Sequence, residues 1–259
     1  MTPKENLRAA LSHKLPQWVP LASHIDPYNQ PRKEGMPSAL AEKLEHVQWG
    51  DESMIHMDRH LGIDTCELIG PPIATRRQRV EVEDKKAGDD SITIWHTPHG
   101  DLRQVVRSCA GGSYIVEHLL KSPDDIPALA FAFDDEIHEI NATQAEKIAR
   151  HRQLIGENGL INFACPSTPL GMIIRAYAGP ENTAYICADA PEETARLFAV
   201  MERSYVRYYA LAASQDCDML TCMDDTSTTT ISPAMFEEHC LDYTNRMADL
   251  VHGSEPDRF

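Results

Sequence analysis

An α/β fold on a parallel sheet is predicted for this 259-residue chain by three features. Short apolar runs at 19–25, 160–165 and 218–223 have the length and composition of buried strands. Helix-patterned stretches of about 10 to 20 residues lie between such runs, as in βα units. Between 73 and 107 the rhythm changes to strict alternation, which predicts an antiparallel hairpin excursion from the main sheet. The length is close to the ~250 residues of a bare (β/α)8 barrel.

The elements follow in order. Residues 3–13 are amphipathic, with Leu7, Ala10 and Leu11 at helical spacing and Thr2 as cap. Pro16 breaks that helix, and Trp18 to Asp26 gives a strand with polar residues at its end. Residues 27–37, with three prolines and a glycine, are loop. Helices are predicted from Ser38 to Val47 and over 53–61, the second stopped by Gly62. Residues 79–83 and 91–95 alternate apolar and polar around the turn at 85–90. Thr97-Pro98-His99-Gly100 then leads into a third strand, Leu102 to Arg107. After Gly111-Gly112 the helical period returns, and Ser122-Pro123-Asp124-Asp125 is a helix start with proline at the first position. The clearest helix, 142–157, ends at Gly156 and Gly159. Helices follow at 169–178 and 191–213, and a last one runs from Ser232-Pro233 to Val251. Tyr185-Ile186-Cys187 fits either a strand or a helix. The tail 253–259 has no pattern.

Composition bounds the function. With 42% hydrophobic and 25% charged residues the chain is an ordinary soluble domain, long enough for a sizeable core. A net charge of −16 argues against a nucleic-acid partner, because phosphate binding needs a basic surface. No apolar run of membrane-spanning length occurs, and the charged N-terminus lacks a signal peptide, so cytoplasm is expected. The seven cysteines are scattered and form no C-x-x-C pair, which predicts reduced thiols rather than a disulfide framework.

Several segments, in order along residues 1–252, resemble one family. Met1-Thr2-Pro3-Lys4-Glu5-Asn6 with Leu7-Arg8-Ala9-Ala10-Leu11 and Val19-Pro20 is similar to the opening of uroporphyrinogen decarboxylase-like methyltransferases. Thr97-Pro98-His99-Gly100 resembles their hairpin turn, and Lys121-Ser122-Pro123-Asp124-Asp125 their helix start. Met223-Asp224-Asp225 with Ile231-Ser232-Pro233 and Phe236 resembles the segment where an aspartate ends a barrel strand. The resemblance implies a TIM (β/α)8-type barrel, here incomplete and N-terminal only, as a single domain over 1–259 with an antiparallel meander at 73–107. It implies an active cleft at the C-terminal strand ends, where loops vary without disturbing the core.

The same resemblance frames the function. The arginine-rich motif of true decarboxylases is absent at 26–33, which favours the methyltransferase type, acting on a small-molecule substrate with a corrinoid protein or small methyl donor. Decarboxylation of a tetrapyrrole carboxylate is the alternative, and an inactive truncated or non-catalytic binding protein is the rival from another class. The His-x-Cys motif and later cysteine that hold zinc in the methyltransferase branch do not occur by Phe259. No cofactor is therefore expected in this chain, with corrinoid and zinc belonging to a full-length member. An open barrel would also leave sheet edges able to pair between copies, giving a homo-oligomer.

The candidate site residues sit at the predicted strand ends. His24 and Asp26, two apart, share one strand face and either handle a proton or anchor a loop. Of Asp224 and Asp225, one faces the barrel axis to orient substrate or move a proton; capping of the next helix is the other reading. His56 and His60 stand at i, i+4 without a third ligand and read as a solvated face, as do His96 and His99. Cys165 and Cys222 read as small buried hydrophobes. The basic clusters at Arg76, Arg77 and Arg79, and at Arg103 and Arg107, either hold an anionic substrate or are solvated strand faces.

Overall fold

The computed structural model describes residues 1–21, 52–109, 112–255 and 258–259. The predicted helix at 38–47, and the site residues His24 and Asp26, lie outside the described residues. The architecture is mixed α/β, with one parallel and two antiparallel sheets among the described residues.

The parallel sheet has the order β1 (Thr65–Ile69), β8 (Gly159–Cys165), β9 (Met219–Cys222). Thr65 pairs with Gly159 and Asn162 with Met219, so all three strands point their C-terminal ends the same way. β8 is central and buried at nearly every position, in keeping with a run that is apolar except for the buried Asn162. Gly159 permits the close approach to β1: a Cβ there would fall 2.0 Å from the Thr65 carbonyl oxygen. The core around β8 contains Leu160, Ile161 and Phe163 at zero exposure. Each such side chain contributes about 1.5–3 kcal/mol by burial. No closed barrel is formed among the described residues.

Among the described residues the first strand of this sheet is β1, and the apolar run at 19–25 is described only over 19–21. Residues 19–21 make no ladder pairing; the Leu21 N–H donates to Asp64 Oδ2 at 2.9 Å, and the Leu21 carbonyl accepts from the Asp64 N–H. Residues 22–25 lie outside the described residues. β1 is hidden in the sequence because Glu67 interrupts its apolar run, yet Glu67 is 4% exposed and faces the buried His151.

The antiparallel excursion is also larger than the alternation indicated. β3 (Glu81–Ala87), β4 (Asp90–Thr97), β5 (Gly100–Cys109) and β6 (Gly112–Glu117) form a four-stranded antiparallel meander. β6 occupies the segment assigned to returning helix. β2 (Ile73–Arg77) leaves the meander and pairs antiparallel with β7 (Glu136–Ile140), in a separate ribbon that places Thr75 opposite His138.

The helices obey their local signals more closely. α1 (Pro3–Leu11) has the Thr2 cap, completed by Glu5 into a capping box. α2 (Glu52–Leu61) stops at Gly62, whose φ is +69°. Ser122 and Pro123 start a 3-10 turn that runs into α3 (Ile126–Asp134). α4 (Ala142–Ile155) ends at Gly156 and α7 spans Pro191–Ala213. The predicted helix at 169–178 is a short α turn, α5 (Pro169–Met172), continued by a π turn over Ile173–Tyr177. Tyr185 to Cys187 are helical within α6 (Gly179–Asp189). The last predicted helix divides into α8 (Pro233–His239) and α9 (Leu241–Ser254).

Two anchors hold the sheet at its N-terminal end. Asp218, just before β9, accepts from Lys4 at 3.1 Å, Arg8 at 2.7 Å, the Ile161 N–H at 3.0 Å, and Arg152. These donors hold its carboxyl at about 2 despite burial. The tail read as patternless is docked here too. Arg258 is buried against the carbonyls of Ala213, Gln215 and Cys217, and Phe259 donates to the Asp218 carbonyl and accepts from the Leu220 N–H of β9.

Candidate functional site

At the opposite, C-terminal end of the parallel strands lies a cleft of two lobes. One lobe, of about 410 Å³, is lined by Cys165 at the end of β8 and Pro166 after it, Met223 after β9, Thr75, Arg77, Glu136 and His138 from the ribbon, and Tyr177 and Tyr205. The other, of about 470 Å³, is lined by Gly171, Ile174, Asp224, Asp225 and the segment 229–231. Arg175 and Met223 line both. The π turn carries Arg175 and Tyr177 into the cleft; such irregular turns recur at functional sites because they re-aim side chains.

Asp224 and Asp225 divide their work. Asp224 turns inward, where Oδ2 accepts from the Thr168 N–H at 3.0 Å and from the Cys222 thiol at 3.5 Å. Its Oδ1 is buried without a hydrogen-bond partner and sits where a side chain at 171 would be, since a Cβ on Gly171 would lie 1.7 Å away. Asp225 is exposed and closes the following turn by accepting from the Ser227 N–H and the Thr230 hydroxyl, which hold its carboxyl below the usual range. Ser232, not either aspartate, caps α8.

The ribbon supplies a polar array that the residue pattern alone did not reveal. Glu136 Oε1 accepts from Arg77 at 2.5 Å, and Oε2 accepts from the Ser204 hydroxyl at 2.6 Å. His138 Nε2 lies 2.9 Å from Ser204 Oγ and 3.2 Å from the Ser204 carbonyl, while Nδ1 lies 2.9 Å from Thr75 Oγ1. A carbonyl only accepts, so Nε2 carries the proton and Nδ1 is the bare acceptor of the Thr75 hydroxyl. Burial pushes the His138 imidazole down and the Glu136 carboxyl up, the latter opposed by Ser204 and Arg77.

The arginine clusters resolve by pairing. Arg76 bridges Glu139, Arg77 bridges Glu136 and Arg79 bridges Asp135, all from β7 or its entry. Arg103 and Arg107 pair with Glu117 and Asp90. The complementary signal was the acidic run Asp134-Asp135-Glu136 with Glu139, lying far along the chain from the arginines. Arg175, by contrast, has no acidic partner among the described residues; its guanidinium contacts Met172 Sδ at 3.2 Å.

Among the described residues no three His, Cys, Asp or Glu side chains converge as a ligand set. Burial pushes the thiols of Cys165 and Cys222 up, that of Cys222 to about 12 with help from Asp224. His56 and His60 are exposed on α2. Among the described residues, no helix is long and apolar enough to cross a membrane.

No curated protein and no solved structure matches the chain. The family model described as uroporphyrinogen decarboxylase (URO-D) matches residues 105–258, a span that includes β8, β9, the π turn and Asp224. With more than half of its length matched by that one model, the chain belongs to the uroporphyrinogen decarboxylase family.

Proposed function

We propose that this chain is a methyltransferase-type member of the family, which takes a small substrate in the two-lobed cleft and works with a corrinoid protein or a small methyl donor. In this reading β1, β8 and β9 are one sector of a barrel wall, and the cleft is the mouth of that barrel. The observation that carries the reading is the charge inventory of the cleft. Its walls are thioether, thiol and aromatic groups such as Met172, Met223, Cys165 and Phe133. Arg77 is already neutralised by Glu136, which leaves Arg175 as the cation without an acidic partner among the described residues lining the cleft. A tetrapyrrole bearing many carboxylates calls for several free cations, and the residues at 26–33 lack the arginine-rich motif that would supply more.

The residues at hand have distinct tasks. Arg175 holds a single anionic group of the ligand, the aromatic and methionine walls exclude water, and Asp224 fixes the loop between β8 and α5. Zinc-thiolate chemistry is not assigned to any described residue. Titration of the protein with methylcobalamin and, separately, with uroporphyrin, followed by tyrosine and tryptophan fluorescence, tests the reading. Methylcobalamin should bind more tightly, and Arg175→Ala should weaken that binding. A preference of about tenfold or more for uroporphyrin would replace the reading with decarboxylation.

A further inference from the structure

We propose that Thr75 and His138 form a nucleophile–base pair in the cleft, a second reactive centre that accepts an acyl group from a small activated ester. This goes beyond the methyl-transfer reading and does not rest on it. Thr75 is exposed on β2 and lines the 410 Å³ lobe. The antiparallel register of β2 and β7 sets it directly opposite His138, so a cross-strand pair, not a chance approach of two surface groups, fixes the 2.9 Å contact.

The orientation of the imidazole is dictated from behind. Both acceptors of Ser204 face Nε2, and the Ser204 hydroxyl is itself committed to Glu136, which Arg77 holds. The lone pair on Nδ1 is thereby aimed at the threonine hydroxyl, the relation a nucleophile needs to its base and the base to a third group. Ser204 cannot be the nucleophile, because it is fully buried. The arrangement also costs stability: Glu136 and His138 are both desolvated, and burial displaces each carboxyl or imidazole pKa in the direction of the neutral form. Buried, desolvated titratable groups at a cleft wall are a recurring feature of reactive sites.

The chemistry balances without a cofactor. Thr75 Oγ attacks the ester carbonyl carbon while its proton passes to His138 Nδ1. The C–O bond to the leaving alcohol then breaks, and the alkoxide takes that proton from Nδ1, leaving acyl-threonine and a neutral imidazole. Water hydrolyses the acyl-threonine by the same route in reverse. The groups facing His138 are Arg77 and Glu136 from the ribbon and Ser204, Arg207 and Tyr208 from α7.

p-Nitrophenyl acetate added to the full chain tests the pair. The expected result is a burst of one p-nitrophenolate per chain, with acetyl on the tryptic peptide carrying Thr75. Thr75→Val should abolish the burst and Thr75→Ser should keep it. His138→Gln should slow it about 100-fold, the low end for loss of a general base. The rate should fall with acid only below the pH at which free imidazole titrates, because burial lowers the His138 pKa. No burst, an unchanged burst in Thr75→Val, acetyl confined to lysines, or an acid limb at the free-imidazole position would each overturn the proposal. Thermal melts of the variants separate loss of reactivity from loss of fold.

Discussion

Two buried carboxylates at opposite ends of the structure carry opposite consequences. Asp218, at the N-terminal end of β9, is met by Lys4, Arg8, Arg152 and a backbone N–H, and its carboxyl stays ionised down to about 2. Glu136, beside the cleft, has one arginine and one serine, and burial still pushes its carboxyl up. A carboxylate whose donors are saturated is a rivet; one whose donors fall short of its desolvation remains able to change state.

The largest test of this contrast is Asp218→Asn, expected to cost about 3 kcal/mol in urea unfolding at neutral pH, because three cations lose a buried partner at once. Its folded pKa lies below the unfolded value, so the contribution is present above the unfolded value and fades as pH falls through about 2. An unchanged denaturation midpoint would mean that α1 is not tied to the sheet through this residue.

Asp58 sharpens the comparison by reversing the sign. It is buried on α2 with its carboxyl raised to about 6 by burial, reinforced by the charge of Glu67. A raised acid contributes its stability below the unfolded pKa and loses it as pH rises through about 6. Asp58→Asn should therefore stabilise the protein by about 2 kcal/mol at alkaline pH and leave it unchanged in acid below the unfolded pKa. A loss of stability at alkaline pH would contradict this account.

Arg77→Met probes Glu136 itself. Here the expected loss is about 1 kcal/mol, smaller than for Asp218, because a stranded Glu136 can take up a proton instead of remaining a buried charge. Carbon-13 NMR titration of the glutamate carboxyls should show the Glu136 midpoint moving further up. The smallest effect is expected next door on β2: Arg76 and Glu139 form an exposed pair, and Arg76→Ala should leave the melting temperature within experimental error.

How much of this was legible in the residues depends on the distance over which each feature is decided. The Thr2 cap, the stop at Gly62, the span 191–213 and the hairpin of β3 and β4 are set within a few residues, and the sequence announces them. So does the run of β8, apolar but for the buried Asn162, which accepts from the Thr221 hydroxyl. β1 escaped because its middle residue, Glu67, breaks the apolar run, although it is buried beside His151, a residue from a helix far along the chain. At the candidate site, Asp224 was visible as an aspartate after a strand, whereas Thr75, Glu136, His138 and Ser204 were not, since none belongs to a motif.

By itself, then, the sequence determined the alternation of helices and strands, the antiparallel excursion, the family resemblance and the strand-end position of Asp224, all consequences of periodicity and local backbone preference. Tertiary structure alone decided which charges are neutralised and which groups meet. Arg77 and Glu136 are 59 positions apart, and Glu136 and Ser204 are 68 apart. The register of β2 with β7 and the packing of α7 against them bring these residues together, and burial then sets their protonation. Solvation and Coulomb energy depend on distances in space, which no residue carries in its own identity.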